Sequence, residues 1–194
     1  MTRKLLWSAA LAIGTVATLL APQVSNPPAV KPPVIDVYSV NGELWSTPSD
    51  GSVVFWKDSA LVKPILRQTG SRITHAAIVL DGFVIEAVPP RVHKVRFADY
   101  VKDMKETRTP GFKWFVTQPK VPYTRTQIAA MTKYAQSQIG RPYRLRGWRK
   151  GREVRGIFCS ELVADILEQS GRIKSAGVHE SPGSLYEKLE PLYQ

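Results

Sequence analysis

The stretch Thr74-His75-Ala76-Ala77-Ile78-Val79-Leu80-Asp81-Gly82-Phe83-Val84-Ile85-Glu86-Ala87 decides how the rest of the chain is read. Two β-rich runs, His75–Leu80 and Phe83–Ala87, flank Asp81-Gly82. Asp-Gly between apolar runs is a strong hairpin signal, because a two-residue turn of the favoured kind needs φ > 0 at both positions. Such a turn sets the register: Leu80 pairs with Phe83, and Ala77 with Glu86. Side chains alternate along a strand, so His75 shares a face with Ala77 and has Glu86 as its diagonal neighbour. A carboxylate beside an imidazole fixes the tautomer and raises the basicity of the ring.

Outward from this hairpin the elements are mixed. Ser52–Trp56 follows the turn signal Pro48-Ser49-Asp50-Gly51 and reads as a strand, as does Lys113–Val116. Thr124–Ile139 reads as a helix with Ile128, Met131, Ala135 and Ile139 on one face, stopped by Gly140 and Pro142. Cys159–Gln169 reads as a second helix with Gly171 beyond its end. Strands and helices without a regular βαβ alternation predict an α+β domain built on an antiparallel sheet.

The single cysteine opens the second helix, where Cys159, Leu162, Val163, Ile166 and Leu167 share a face. A helix N-terminus carries partial positive charge, which favours the thiolate, the nucleophilic form. A free cysteine on an apolar helical face is often just a small core residue. The balance moves when His75 and Glu86 are set beside it. A nucleophile, a base and an orienting acid are the parts of a cysteine-hydrolase triad, so Cys159, His75 and Glu86 are the expected catalytic residues.

The blocks Thr74–Leu80, Val84–Ala87 and Phe158-Cys159-Ser160-Glu161-Leu162-Val163 resemble the permuted, YiiX/YebB-like branch of NlpC-type, papain-like cysteine hydrolases. The resemblance covers about residues 45–190 and takes in Gly140-Arg141-Pro142-Tyr143 and Ser181-Pro182. In that branch the histidine strand precedes the cysteine helix, as here. The resemblance implies a circularly permuted, papain-like antiparallel sheet with the nucleophile helix packed against it. It also implies Cys159 as nucleophile, His75 as base and Glu86 as the third polar residue. The chain departs from the family at Asp50-Gly51, where Gly-Asp is usual, and at Arg144, where an acidic residue is usual. Tyr143, Arg144 and Trp148 are the expected substrate-binding residues.

Composition sets the limits around this site. The chain has 194 residues, 27 basic and 16 acidic, for a net charge of +11, and 43% are hydrophobic. That is one domain of ordinary size, neither a disordered chain nor a multi-span membrane protein. One cysteine rules out an internal disulfide framework, and with His75, His93 and His179 as the only histidines no metal site is expected. Arg3 and Lys4 precede the uncharged run 5–21, which reads as a signal peptide, or as an uncleaved signal anchor because Pro22 follows Ala21. Residues 22–34 hold five of the 15 prolines and no acid, an extended linker leading to a domain at 35–194. The expected location is the periplasm or the extracellular side, or anchorage to the inner membrane by residues 5–21. Residues 141–155 carry seven basic groups against Glu153 alone, a local net +6 that suits an anionic envelope surface. The interleaved aromatics would also suit nucleic acid, but export argues against that partner.

The sequence therefore predicts an exported thiol hydrolase acting on an amide, such as a peptidoglycan stem-peptide bond, without metal or organic cofactor. Two alternatives stand beside it: a lipid-directed acyltransferase or acylamide hydrolase, and a non-catalytic module for anionic surfaces.

Overall fold

The computed structural model describes residues 37–40, 43–58, 62–106, 113–144 and 156–194, all within the unit Pro33–Gln194. The segment 1–21, the linker 22–34 and Trp148 lie outside the described residues. In chain order the elements are β1 (Val37–Val40), β2 (Glu43–Ser46), β3 (Val53–Lys57), α1 (Val62–Thr69), β4 (Ile73–Leu80), β5 (Phe83–Val88), β6 (Arg91–Arg96), α2 (Phe97–Glu106), β7 (Lys113–Thr117), α3 (Arg125–Gln138), α4 (Cys159–Glu168), a 3₁₀ turn (Gly177–His179) and α5 (Pro182–Leu189).

β1 and β2 form a two-stranded hairpin. The other five strands make an antiparallel sheet in the order β6-β5-β4-β3-β7. The α+β class with an antiparallel sheet is thus as the sequence predicts. Asp81 and Gly82 both adopt positive φ, 52° and 73°, and the register Leu80↔Phe83, Val79↔Val84, Ile78↔Ile85 follows from that turn.

The sheet is covered on both faces, which is why β4 is buried along its whole length. On one face Val53, Phe55, Ala76, Ile78 and Ile85 pack with Met131 and Ala135 of α3, Leu162, Val163 and Ile166 of α4, and Leu185 and Leu189 of α5. On the other, Val54, Ala77, Val79 and Val84 pack with Phe97, Tyr100 and Val101 of α2. α2 reads Phe97, Tyr100, Val101, Met104 at one-face helical spacing, enough apolar surface to close this side.

Local signals fix the helix starts. Thr124 accepts from Gln127 N–H while the Gln127 side chain accepts from Thr124 N–H, a reciprocal cap at the head of α3. Ser181 caps α5 in the same way, with Pro182 pre-set for the first helical position. Gly183, next in α5, meets the chain so closely that a Cβ there would lie 2.5 Å from Ser71 Oγ.

α4 is more buried than a one-face reading predicts. Ser160, Glu161 and Ala164 are buried along with Cys159, Leu162, Val163, Ile166 and Leu167. The extra burial is bonded: Ser160 Oγ donates to Glu180 O at 2.6 Å, and Glu161 pairs with Arg144.

Candidate active site

The β4–β5 ladder begins at the Asp81-Gly82 turn and ends at Ile78↔Ile85, although both strands continue. Beyond that point β5 pairs only with β6, and the edge of β4 that faced β5 is open. Val79 N–H donates to Ser52 O on the β3 side, so alternation turns Ala76 N–H toward the opening. That N–H donates to the Cys159 sulfur. The thiol therefore stands where β5 would have continued the ladder, at the head of α4.

His75 approaches the same opening from β4. It pairs with Trp56 across the strands, and the two rings lie 4.2 Å apart between centroids. Trp56 Nε1 donates to Tyr100 Oη of α2 at 2.7 Å, so the indole that packs on the imidazole is itself tied down. His75 Nε2 is 2.6 Å from Glu86 Oε2, the diagonal contact that the turn register implies. With Nε2 engaged, the nitrogen left for the His75–Cys159 hydrogen bond is Nδ1. Glu86 is 5% exposed, and its other oxygen, Oε1, lies 2.9 Å from His93 Nε2. An ionised carboxylate only accepts, so both Nε2 atoms donate to it. In its neutral form His75 then presents a bare Nδ1 to the thiol, the form that acts as a base.

Electrostatics oppose burial at each group. Burial alone would raise Cys159, but the His75 charge, its hydrogen bond and the N–H groups of Ala76 and Ser160 bring it below the usual thiol value. Burial would lower His75, yet the Cys159 charge and hydrogen bonds to Cys159 and Glu86 raise it to about 10. Glu86 is pushed up by burial and brought down to about 2, first by hydrogen bonds from His75 and His93. The lowered thiol and the raised imidazole both shift the pair toward thiolate and imidazolium.

Tyr143 stands beside this group. Its N–H donates to Pro90 O at 2.8 Å, and burial together with the Cys159 charge raises its phenol to about 12. Arg144 is buried, with Nη2 2.6 Å from Glu161 Oε2 and its guanidinium 5.6 Å from the Phe158 ring centre. The structure thus brings together Cys159, His75, Glu86 and Tyr143, and places Arg144 in an internal ion pair. Trp148 and residues 145–155 of the basic segment lie outside the described residues.

His93 is the residue that the sequence reading left out of the site. β6 places it directly opposite Glu86. The hairpin from Val88 to Arg91 turns on Pro89-Pro90, linked by a cis bond, which is not a usual strand-connecting signal.

Fold and site together describe an α+β protein with a histidine- and glutamate-flanked thiol at a sheet opening. No family model matches the chain, and no curated protein matches it significantly. Among solved structures the fold is similar to that of "metalloprotein yiiX" from Escherichia coli O157:H7, with a TM-score of 0.52 and 19% identity over 67% of this chain and 69% of that one. The likeness is one of fold. Among the described residues of this chain, no three His, Cys, Asp or Glu side chains are grouped to hold a metal ion, and Glu86 has both oxygens on imidazoles.

Proposed function

We propose that the protein is an exported, thiol-dependent hydrolase of the permuted, NlpC-type papain-like kind, cleaving an amide bond such as that of a peptidoglycan stem peptide. One observation carries this reading: the chain's only cysteine has its sulfur against the N–H groups of Ala76 and Ser160 and against His75, whose far nitrogen is held by Glu86. A structural cysteine needs none of these partners. The run 5–21 supports export, and the YiiX-like fold agrees with the resemblance of the histidine and cysteine blocks.

In the proposed reaction the Cys159 thiolate attacks the amide carbonyl carbon, and the electron pair of the C=O moves onto oxygen. In this reading the N–H of Cys159, one of the orphan donors in the first turn of α4, donates to that oxyanion. As the tetrahedral species collapses, the C–N bond breaks and His75 Nδ1–H protonates the departing amine. A thioester remains on Cys159. Water then attacks it, His75 takes up the water proton, the C–S bond breaks, and the acid leaves with the thiolate restored. Glu86 keeps Nε2–H of His75 directed away from the thiol throughout and balances the imidazolium.

Capture of the thioester by an alcohol or amine in place of water would make the same site an acyltransferase. Incubation with muropeptide and acyl-lipid panels, followed by intact mass, tests both: a Cys159 acyl adduct with one class and turnover are expected. Cys159→Ala should retain the fold and lose turnover, and retained turnover would overturn the proposal.

A further inference from the structure

Glu86 is shared between two histidines of unequal exposure, and this sharing is the feature that a three-residue site does not use. Its Oε2 meets His75, whose side chain is 7% exposed, and its Oε1 meets His93, whose side chain is 49% exposed. The first contact crosses the opening between β4 and β5; the second is a direct cross-strand pair, Glu86↔His93. His93 therefore reaches solvent on one side and the buried acid on the other.

We propose that His93 is a positioning residue for the Cys159–His75 pair: it holds Oε1 of Glu86 and, by gaining or losing its own proton, sets how much of that carboxylate's charge reaches His75. The proposal rests on the thiol-hydrolase reading and names the regulation of that site. A carboxylate has a single negative charge to share. When His93 is neutral, its Nε2–H orients Glu86 and leaves the charge to stabilise the His75 imidazolium, and with it the thiolate. When His93 is protonated, its cation competes for the same charge and opposes the imidazolium on the far side of Glu86. Reactivity of Cys159 thus rises as the pH passes upward through the ionisation of His93.

Among the described residues, Glu86 and His75 are the charges that act on this ring. The hydrogen bond to Glu86 is the largest influence and raises His93; burial and the His75 charge oppose it. On β6 itself, Lys94 and Arg96 lie over the Phe83 ring, at 4.8 and 5.9 Å, and Arg91 is exposed at the turn. From α2 come Tyr100, bonded to Trp56, and the exposed Asp99, Lys102 and Asp103. The segment closing the edge of β6 brings Arg141, bonded to Gln138 and Gly156 O, and Tyr143. From α4 comes Cys159, beyond His75.

The test is the pH dependence of Cys159 alkylation by iodoacetamide, read by intact mass, in wild type, His93→Ala and His93→Gln, together with ¹⁵N NMR titration of the His75 ring. Wild type should show, besides the thiol ionisation, an inflection above the ordinary histidine range of about 6.5. His93→Ala should lose that inflection and, at pH above it, alkylate on the order of tenfold more slowly, the equivalent of one pKa unit. His93→Gln, whose amide can still donate to Oε1, should recover most of the rate yet lack the inflection. A His93→Ala profile that overlays wild type would overturn the proposal while leaving the hydrolase reading intact. If the wild-type thiol reacts no faster than free cysteine, the hydrolase reading fails instead. The NMR arm then decides on His93 separately: an unchanged His75 titration in His93→Ala overturns its role.

Discussion

His75 Nε2 and Glu86 Oε2 stand 2.6 Å apart across a stretch of sheet in which their strands have stopped pairing with each other. That separation gives both side chains room to meet at an opening wide enough for a thiol. The hairpin turn sets their register, and the end of the ladder lets them meet beside the thiol.

Glu86→Gln keeps the size of the side chain and an oxygen acceptor but removes the charge that stabilises the His75 imidazolium. The His75 ring should titrate lower by about one to two units, in keeping with loss of an adjacent opposite charge. Cys159 alkylation near neutral pH should fall on the order of tenfold or more. ¹⁵N titration of the ring and the alkylation rate check the two effects separately.

The same carboxylate leaves a mark on acid stability. Its value falls from 4.5 to about 2 in the folded state, so its contribution is complete above 4.5 and is lost as the pH falls toward 2. The Tm difference between wild type and Glu86→Gln should therefore shrink between pH 5 and 2, as followed by circular dichroism.

Trp56 links the imidazole to α2 through its stacking on His75 and its bond to Tyr100 Oη. Trp56→Phe keeps an aromatic surface and loses the bond; Trp56→Ala loses both. The alanine variant should cost about 3 kcal/mol in urea unfolding. It should also slow Cys159 alkylation more than the phenylalanine variant does.

Arg144 and Glu161 form an ion pair with both side chains 7% exposed, so removing one partner strands a buried charge. Arg144→Ala should destabilise the fold by about 3 kcal/mol. The measurement is urea unfolding, with Arg141→Ala as a half-buried comparison expected to cost less.

Much of the site is legible in short-range signals. Asp81-Gly82 sets the register that brings His75 and Glu86 together, and the apolar spacing after Cys159 places the thiol at a helix start. What escapes a linear reading depends on distant partners. Arg144 sits in a basic run that looks solvent-facing until α4 brings Glu161 to it. His93 lies in Val92-His93-Lys94-Val95, which lacks strict alternation because β6 is the sheet edge, where only Val92 is fully buried. The signals for α2 and α5 were present, as the spacing from Phe97 to Met104 and as Ser181-Pro182, and their weakness is their shortness.

The most direct test of the central claim is the pH–rate profile for alkylation of Cys159, the only thiol in the chain. Reactivity should set in below the ordinary thiol value of about 8.5 and show a second step, from ion-paired to free thiolate, as His75 loses its proton near 10. A single ionisation at or above that ordinary value, with a rate no greater than that of free cysteine, would contradict it.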